Sequence, residues 1–394
     1  MALKIFIIAG EASGDRLGAK LMRELKAQSK ERIDFCGVGG HLMEKEGLKS
    51  LFPIAQISLM GFVEIIPHIF KIYKLILHTA TMANLFQPNI VITIDSPGFC
   101  FRVIKHINKP KKTQFVHYVS PSVWAYKKER VNFIAKYYDL LLSILPFEPK
   151  YYKNTNLSCE YIGHPISEDG WDIKVNKLAI KKQYDIDPKS KILGIMAGSR
   201  KSEVQTLLPI FIESINQFLE SDKNITAIFP TTSESLTKLI KAKAKEIKCN
   251  TKIIPIFQLS ETERIKLLKS FDAAIVKSGT SSLELTFASV PMLVAYKVNF
   301  ITSLIVKYVF QILKNLRFAS LTNILLNKEV IPEYIQENCV ADKISAGLKK
   351  LFFPKFISKQ HKDYKKILRI LSNKDNILPS KKAAAIILNR CKNT

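Results

Sequence analysis

At 394 residues, 47% of them hydrophobic and 24% charged, the chain has the composition of a globular protein and the length of about two domains. A short stapled scaffold and a disordered or collagen-like chain are excluded. The formal net charge of +26 favours anionic partners, namely phosphorylated substrates, nucleic acid or an anionic membrane face, although only ten of the 60 cations are arginine and a drift toward lysine accounts for the excess equally well.

In chain order, the amino-terminal run Ile5–Ala9 is followed at once by Glu11 and Asp15; it is too short and too acidic for a signal peptide and reads as a first strand. Lys4–Ala9, Ile33–Val38, Ile90–Ile94, Phe115–Val119 and Leu140–Leu145 carry the apolar, β-branched pattern of buried strands, with amphipathic stretches between them. That alternation predicts a parallel sheet covered by helices. Periodicity lapses at Gly163-His164-Pro165 and through the polar stretch to Ser190, and resumes in Lys191–Met196, Thr226–Phe229, Lys252–Ile256, Ala273–Val276 and Met292–Ala295. The expected organisation is one doubly wound α/β domain over 1–165, a linker over 166–190, a second such domain over 191–345 and lysine-rich helices over 346–394 that could pack on either domain. The two domains are expected to face a cleft.

Ile57–Leu77 and Phe300–Phe318 are strongly apolar, yet no window of about 18–20 residues is free of charge, so no spanning helix is expected. Either stretch could lie on a membrane surface or against a second copy of the chain, and a homodimer is left open. Cys36, Cys100, Cys159, Cys249, Cys339 and Cys391 are dispersed, without a C-x-x-C pair or a metal-ligand cluster, which points to a reducing compartment and no metal site.

In open α/β sheets, ligands sit beyond the carboxyl ends of the strands. Five loops qualify. The first strand ends in Gly10-Glu11-Ala12-Ser13-Gly14-Asp15 before a helix from about Arg16 to Ser29; two carboxylates oppose pyrophosphate, the G-x-G-x-x-G fingerprint is absent, and Glu11 and Ser13 suit a sugar, with helix capping by Ser13 or Asp15 as the alternative. Ile90–Ile94 runs into Asp95-Ser96-Pro97-Gly98, where a cleft carboxylate is either a general base or a helix cap. His117–Tyr126, with Ser120 and Trp124, could stack on a sugar, line an acyl groove or be core.

Ala197-Gly198-Ser199-Arg200-Lys201-Ser202-Glu203 brings hydroxyls, amides and two cations to one helix start, as a phosphate site requires. Lys277-Ser278-Gly279-Thr280-Ser281-Ser282-Leu283-Glu284 offers a second anion-competent start, with Glu284 placed either to accept from ribose hydroxyls or to close a capping box with Ser281. Without a D-x-D motif, neutralising a diphosphate falls to Arg200, the amides and Lys277. This is the logic of a metal-independent sugar-nucleotide transferase.

The loop Gly10–Asp15, His117–Trp124, Phe147 after Leu145-Pro146, Gly163-His164, Gly198-Ser199-Arg200 and Ser278–Glu284, in this order, resemble the lipid-A-disaccharide synthases over roughly Ile5 to Leu351. The resemblance implies a GT-B glycosyltransferase of two Rossmann-like domains, the first binding the acceptor and the second the UDP-sugar. It implies joining of UDP-2,3-diacylglucosamine to 2,3-diacylglucosamine 1-phosphate (lipid X) through a β(1→6) bond with release of UDP, no cofactor and no nucleic acid. A Gram-negative source and peripheral attachment to the cytoplasmic face of the inner membrane are implied as well. Carried over by motif, Asp95 is the acceptor base, with Glu11 beside it and Ser13, Ser120 and Trp124 on the acceptor side; Ser199, Arg200, Ser278, Gly279, Thr280, Ser281 and Glu284 contact UDP; Asn323 matches a residue important for activity.

Three positions depart from the family pattern. Ala197 and Thr322 stand where proline is usual, and Gly98 stands where a second aspartate is usual, which throws more weight on Asp95. The alternatives are a GT-B transferase or 2-epimerase acting on plain UDP-GlcNAc, and a basic protein binding membranes or nucleic acid through its charge.

Overall fold

The computed structural model describes residues 2–57, 69–125, 128–221, 224–297, 317–372 and 377–392. Most of the two apolar stretches, together with Tyr126, lies outside the described residues. The chain divides into two compact units, one formed by residues 1–165 and 370–394 and the other by 166–369.

In the first unit seven parallel strands, β1 (Leu3–Ala9), β2 (Ile33–Val38), β3 (Lys49–Ser50), β4 (Ile90–Ile94), β5 (Gln114–Tyr118), β6 (Leu140–Ser143) and β7 (Ser158–Tyr161), lie in the order β3-β2-β1-β4-β5-β6-β7. Continuous apolar runs become central strands because helices cover both faces of a parallel sheet. Ile5, Ile7 and Ala9 face one core, with Leu21, Met22 and Leu25 of the helix Ala12–Gln28. Phe6 and Ile8 face the other, with Ile76 and Ala80 of the helix Ile69–Phe86. Each such side chain, wholly removed from water, stabilises the fold by about 1.5–3 kcal/mol. The chain returns to this unit near Ile370: Tyr161 donates to the Ile370 carbonyl at 2.7 Å, the His164 N–H donates to Leu371 at 3.0 Å, and Ala383, Ala384 and Ile387 of the helix Pro379–Lys392 join the core around Leu21.

The second unit repeats the plan with β8 (Lys191–Met196), β9 (Ile225–Thr231), β10 (Asn250–Pro255), β11 (Ala273–Lys277), β12 (Met292–Tyr296) and β13 (Glu333–Ile335), all parallel, in the order β10-β9-β8-β11-β12-β13. The expected linker over 166–190 is packed into this unit. Trp171 meets Phe287 at a tilt with ring centres 5.9 Å apart, its indole N–H donates to the Ile166 carbonyl at 2.7 Å, and the helix Lys177–Gln183 is capped by the Asn176 side chain. The helix Pro354–Leu371 closes the unit: Gln360 both donates to and accepts from the Met292 backbone, each at 3.0 Å, and Tyr364 is buried.

Each sheet reverses strand order at one place, between β1 and β4 in the first unit and between β8 and β11 in the second. At such a point the neighbouring loops diverge and leave a crevice at the strand tips.

Candidate active-site loops

At the first switch point β1 runs into Gly10 and β4 into Asp95, so the two loops are neighbours by topology. They approach so closely that a Cβ on Gly10 would stand 2.2 Å from the Ser96 hydroxyl oxygen, which only glycine avoids. Asp95 and Ser96 both take left-handed backbone, at φ 48° and 43°, and the Asp95 N–H donates to the Tyr118 carbonyl at 2.9 Å. This backbone fixes Asp95 at the strand tip, half-buried, where desolvation lifts its carboxyl above the ordinary range and the Ser96 N–H only partly offsets that. Burial, then the negative charges of Asp95 and Glu11, push the buried Cys100 thiol up, which places both carboxylates within electrostatic range of the helix Pro97–Ile104.

Glu11 stands at the start of the helix Ala12–Gln28 without capping it, and Ser13 is exposed in the first turn. Neither Ser13 nor Asp15 caps that helix, contrary to the capping alternative. Asp15 is buried inside it and accepts from the N–H groups of Gly40, Leu42 and Met43 at 2.8, 3.1 and 3.0 Å, so it caps the distant helix His41–Lys45 instead.

The end of β5 is also unusual: Val119, β-branched, has φ 79°. Ser120 beyond it is buried with its hydroxyl 3.0 Å from that of Tyr152, and the Trp124 ring meets Phe147 edge-on at 5.6 Å. His117, by contrast, is core: its Nδ1 lies 2.7 Å from the Thr93 hydroxyl, and burial lowers its pKa to about 3.

Sequence reasoning missed Glu148, the acid inside Leu145-Pro146-Phe147-Glu148-Pro149; an acid in so apolar a run was the available signal. It is 1% exposed and accepts from the N–H groups of Ile144 and Leu145 at 3.2 and 3.0 Å, while burial raises its pKa to about 8. The Trp124 indole N–H lies near enough to oppose that rise, yet outside hydrogen-bond geometry.

At the second switch point Ser199 and Arg200 are exposed at the tip of β8, and Gly279 and Thr280 at the tip of β11. Gly198, at φ 126°, is a position for glycine alone, since a Cβ would also stand 2.6 Å from a Glu203 oxygen. Glu203 is a second missed residue. Its carboxylate accepts from the Ser199 N–H at 3.2 Å and pairs with Lys277 at 3.0 Å, tying the two loops together. Met196, Gly198, Ser199, Lys277, Thr280 and Ser281 line a small pocket here.

Several expectations change in this region. Lys277 is paired with Glu203, and Glu284 is ion-paired with Arg264, which Glu261 also holds. The helix Ser281–Phe287 starts at Thr280 without a side-chain cap, so the Ser281–Glu284 capping box does not form. Ser278 donates to the Ala319 carbonyl at 2.9 Å. Asn323 is fully buried: its amide N–H group donates to Ile331 and Glu333 at 2.9 and 2.7 Å, and its oxygen accepts from Val330 and Ile331 at 2.8 and 3.0 Å. With all of that capacity engaged, Asn323 clamps a loop and does not present its amide to a substrate. Among the described residues no group of three or more metal-ligating side chains gathers.

A family model described as Lipid-A-disaccharide synthetase matches residues 5–387. The lipid-A-disaccharide synthase of Rickettsia canadensis is 43% identical over 387 residues, covering 98% of this chain and 97% of its own, and that of Rickettsia prowazekii is 42% identical over 392 residues, covering 98% of each. Among solved structures, UDP-GlcNAc 2-epimerase from Neisseria meningitidis bound to UDP-GlcNAc aligns with TM-score 0.62 at 14% identity over 100% of both chains. A glycosyltransferase from Rickettsia africae aligns with TM-score 0.58 at 12% identity over 100% of this chain and 99% of its own. At such identities the likeness is one of fold: two Rossmann-like parallel-sheet units of the GT-B class.

Proposed function

The chain belongs to the lipid-A-disaccharide synthase family of glycosyltransferases, and from that premise we propose that it joins UDP-2,3-diacylglucosamine to 2,3-diacylglucosamine 1-phosphate, giving the β(1→6)-linked disaccharide 1-phosphate and UDP. The observation that carries this reading is the pairing of strand-tip chemistry, with a desolvated carboxylate at one switch point and an exposed arginine beside small-residue loops at the other.

In the proposed step Asp95 takes the proton of the acceptor 6-hydroxyl as its oxygen attacks the anomeric carbon from the side opposite UDP. The new C–O bond forms as the bond to the diphosphate breaks, so the α-linked donor becomes a β-linked product. A raised pKa suits Asp95 to this role, because a base more strongly basic than an ordinary carboxylate draws the alcohol proton more effectively. Arg200, whose planar fork can bind two phosphate oxygens, and the backbone amides of Gly279–Ser281 stabilise the charge that develops on the diphosphate. Glu11 and Ser13 orient the acceptor sugar, while Ser120 and Trp124 shape its wall. Ser278, Glu284 and Asn323 act through the loops they hold.

Peripheral attachment to the cytoplasmic face of the inner membrane belongs to the same proposal. Its support is the helix Ile69–Phe86, on which Ile69, Phe70 and Tyr73 are 55%, 81% and 53% exposed; no described helix is long and apolar enough to cross a membrane.

Purified protein incubated with both lipid precursors should yield UDP and disaccharide in equal amounts, with EDTA and without. Turnover of plain UDP-GlcNAc in place of the lipid pair, with no disaccharide formed, would replace this reading with the epimerase one.

A further inference from the structure

The second unit carries a basic, apolar-tipped bend that the reaction does not use. The helix Ala341–Leu351 ends at Leu351 and the helix Pro354–Leu371 begins three residues later. Between Lys349 and Lys362 the sequence holds five lysines, Lys349, Lys350, Lys355, Lys359 and Lys362, and no acidic residue. All five are exposed, and none is ion-paired to a described residue. The next acid, Asp363, is buried and faces Lys328 and Lys366 at 2.7 and 3.5 Å, so it offsets charge elsewhere.

The bend itself is rigidly seated. Phe352 stacks on Phe218 with ring centres 5.5 Å apart and planes at 10°, the Lys191 ammonium stands 5.2 Å from the centre of the Phe352 ring, and Phe356 packs against the core. Phe353 points the other way and is 59% exposed. Lys350, Phe353, Pro354, Lys355, Phe356 and Lys359 together line an apolar groove, so cations flank the exposed Phe353 ring.

A lysine drift across the chain accounts for scattered cations. It does not by itself gather five lysines within 14 residues around an exposed phenylalanine on a turn. Lysines held beside a bilayer are drawn to acidic headgroups, and an aromatic ring among them can enter the interfacial layer. We propose that the bend Lys349–Lys362 is a docking surface for an anionic lipid bilayer, with Phe353 inserted at the interface and the lysines on the headgroups. The proposal rests on the peripheral attachment suggested above and assigns it a surface and a lipid charge. Charge complementarity selects an anionic occupant, and the apolar lining that Pro354 and Phe356 add beside Phe353 favours a bilayer over nucleic acid.

The test is sedimentation of the full chain with vesicles of phosphatidylcholine alone and with 30% phosphatidylglycerol (on the order of physiological anionic-lipid content). Wild-type protein should bind the anionic vesicles at least about tenfold more tightly and release them as salt rises. The triple variant Lys350→Glu, Lys355→Glu, Lys359→Glu should lose that preference, whereas Phe353→Ser should weaken binding severalfold and leave the salt dependence unchanged. Turnover in detergent micelles should match wild type in both variants; since all four positions are exposed, this also reports that they fold. Equal binding of the triple variant and wild type to anionic vesicles would overturn the proposal. Absence of disaccharide synthesis in micelles by wild type would instead defeat the proposed reaction, independently of any lipid result.

Discussion

Over six strands the two units share one order, the first adding a seventh at its edge, yet they end their switch-point strands in opposite ways. The first puts side chains on left-handed backbone at Asp95 and Ser96, whereas the second puts glycine at its left-handed position, Gly198. Left-handed conformation stores strain for most residues and is mild for aspartate and free for glycine. The first unit therefore uses its tip to hold one carboxylate in a fixed, desolvated place, and the second uses glycine to bring Glu203 against the Ser199 N–H while Gly279 and Thr280 stay exposed. Common topology settles where a ligand can sit, and the tip residues settle which charge is welcome there.

The comparison breaks first at Asp95. Asp95→Asn keeps both shape and tolerance of left-handed backbone, so its effect isolates the proton: kcat should fall by about 10²–10⁴ while UDP affinity holds. A pH profile of the wild type should lose activity, as pH falls, through a pKa above the ordinary carboxylate value, and the variant should lack that limb. UDP titration and initial rates read both; near-normal turnover in the variant would remove Asp95 from the chemistry.

Glu148 sharpens the contrast through stability. Its native pKa near 8 lies above the ordinary 4.5, so the folded form keeps a proton that the unfolded chain releases between those values. Stability from this group is therefore intact below pH 4.5, declines as pH rises to about 8 and stays reduced above it. Glu148→Gln should flatten that decline, a gain over wild type of roughly a few kcal/mol at alkaline pH, seen as a rise in Tm. An unchanged Tm difference between pH 5 and pH 8 (about the window set by those two pKa values) would count against it.

In the second unit Arg200→Ala should weaken UDP binding by about 10–100-fold, as expected for losing a charge-assisted pair, with little change in Tm. Calorimetric titration with UDP measures it. Gly10→Ala should cost about 1–3 kcal/mol by driving a methyl group into Ser96, and Ser96→Gly in the same chain should restore most of the loss. The smallest effect belongs to Gly98→Asp: a Cβ there meets only Arg102, at 4.0 Å, so Tm should move by less than about 0.5 kcal/mol equivalent.

The strands readable in advance were those with continuous apolar runs, which parallel sheets bury on both faces. The ones that escaped, Lys49–Ser50, Ser158–Tyr161 and Glu333–Ile335, all lie at sheet edges. They are short, and none of their residues is fully buried, so no apolar run marks them. Site loops were legible because they follow such runs directly. What those side chains bond to was not: Asp15 caps a helix 25 residues on, Lys277 meets Glu203 from the other loop, and Glu284 meets Arg264. Local spacing proposes a cap or a free cation, whereas the fold supplies partners that lie far along the chain.

The return of residues 370–394 to the first unit bears on how the chain is made. During synthesis the second unit, continuous over 166–369, can close as soon as it leaves the ribosome. The earlier-made amino-terminal half must wait with part of its apolar surface uncovered until Ala383, Ala384 and Ile387 arrive. Deleting residues 370–394 should therefore injure the earlier-made first unit, and a fragment ending at Pro165 should be prone to aggregate on expression.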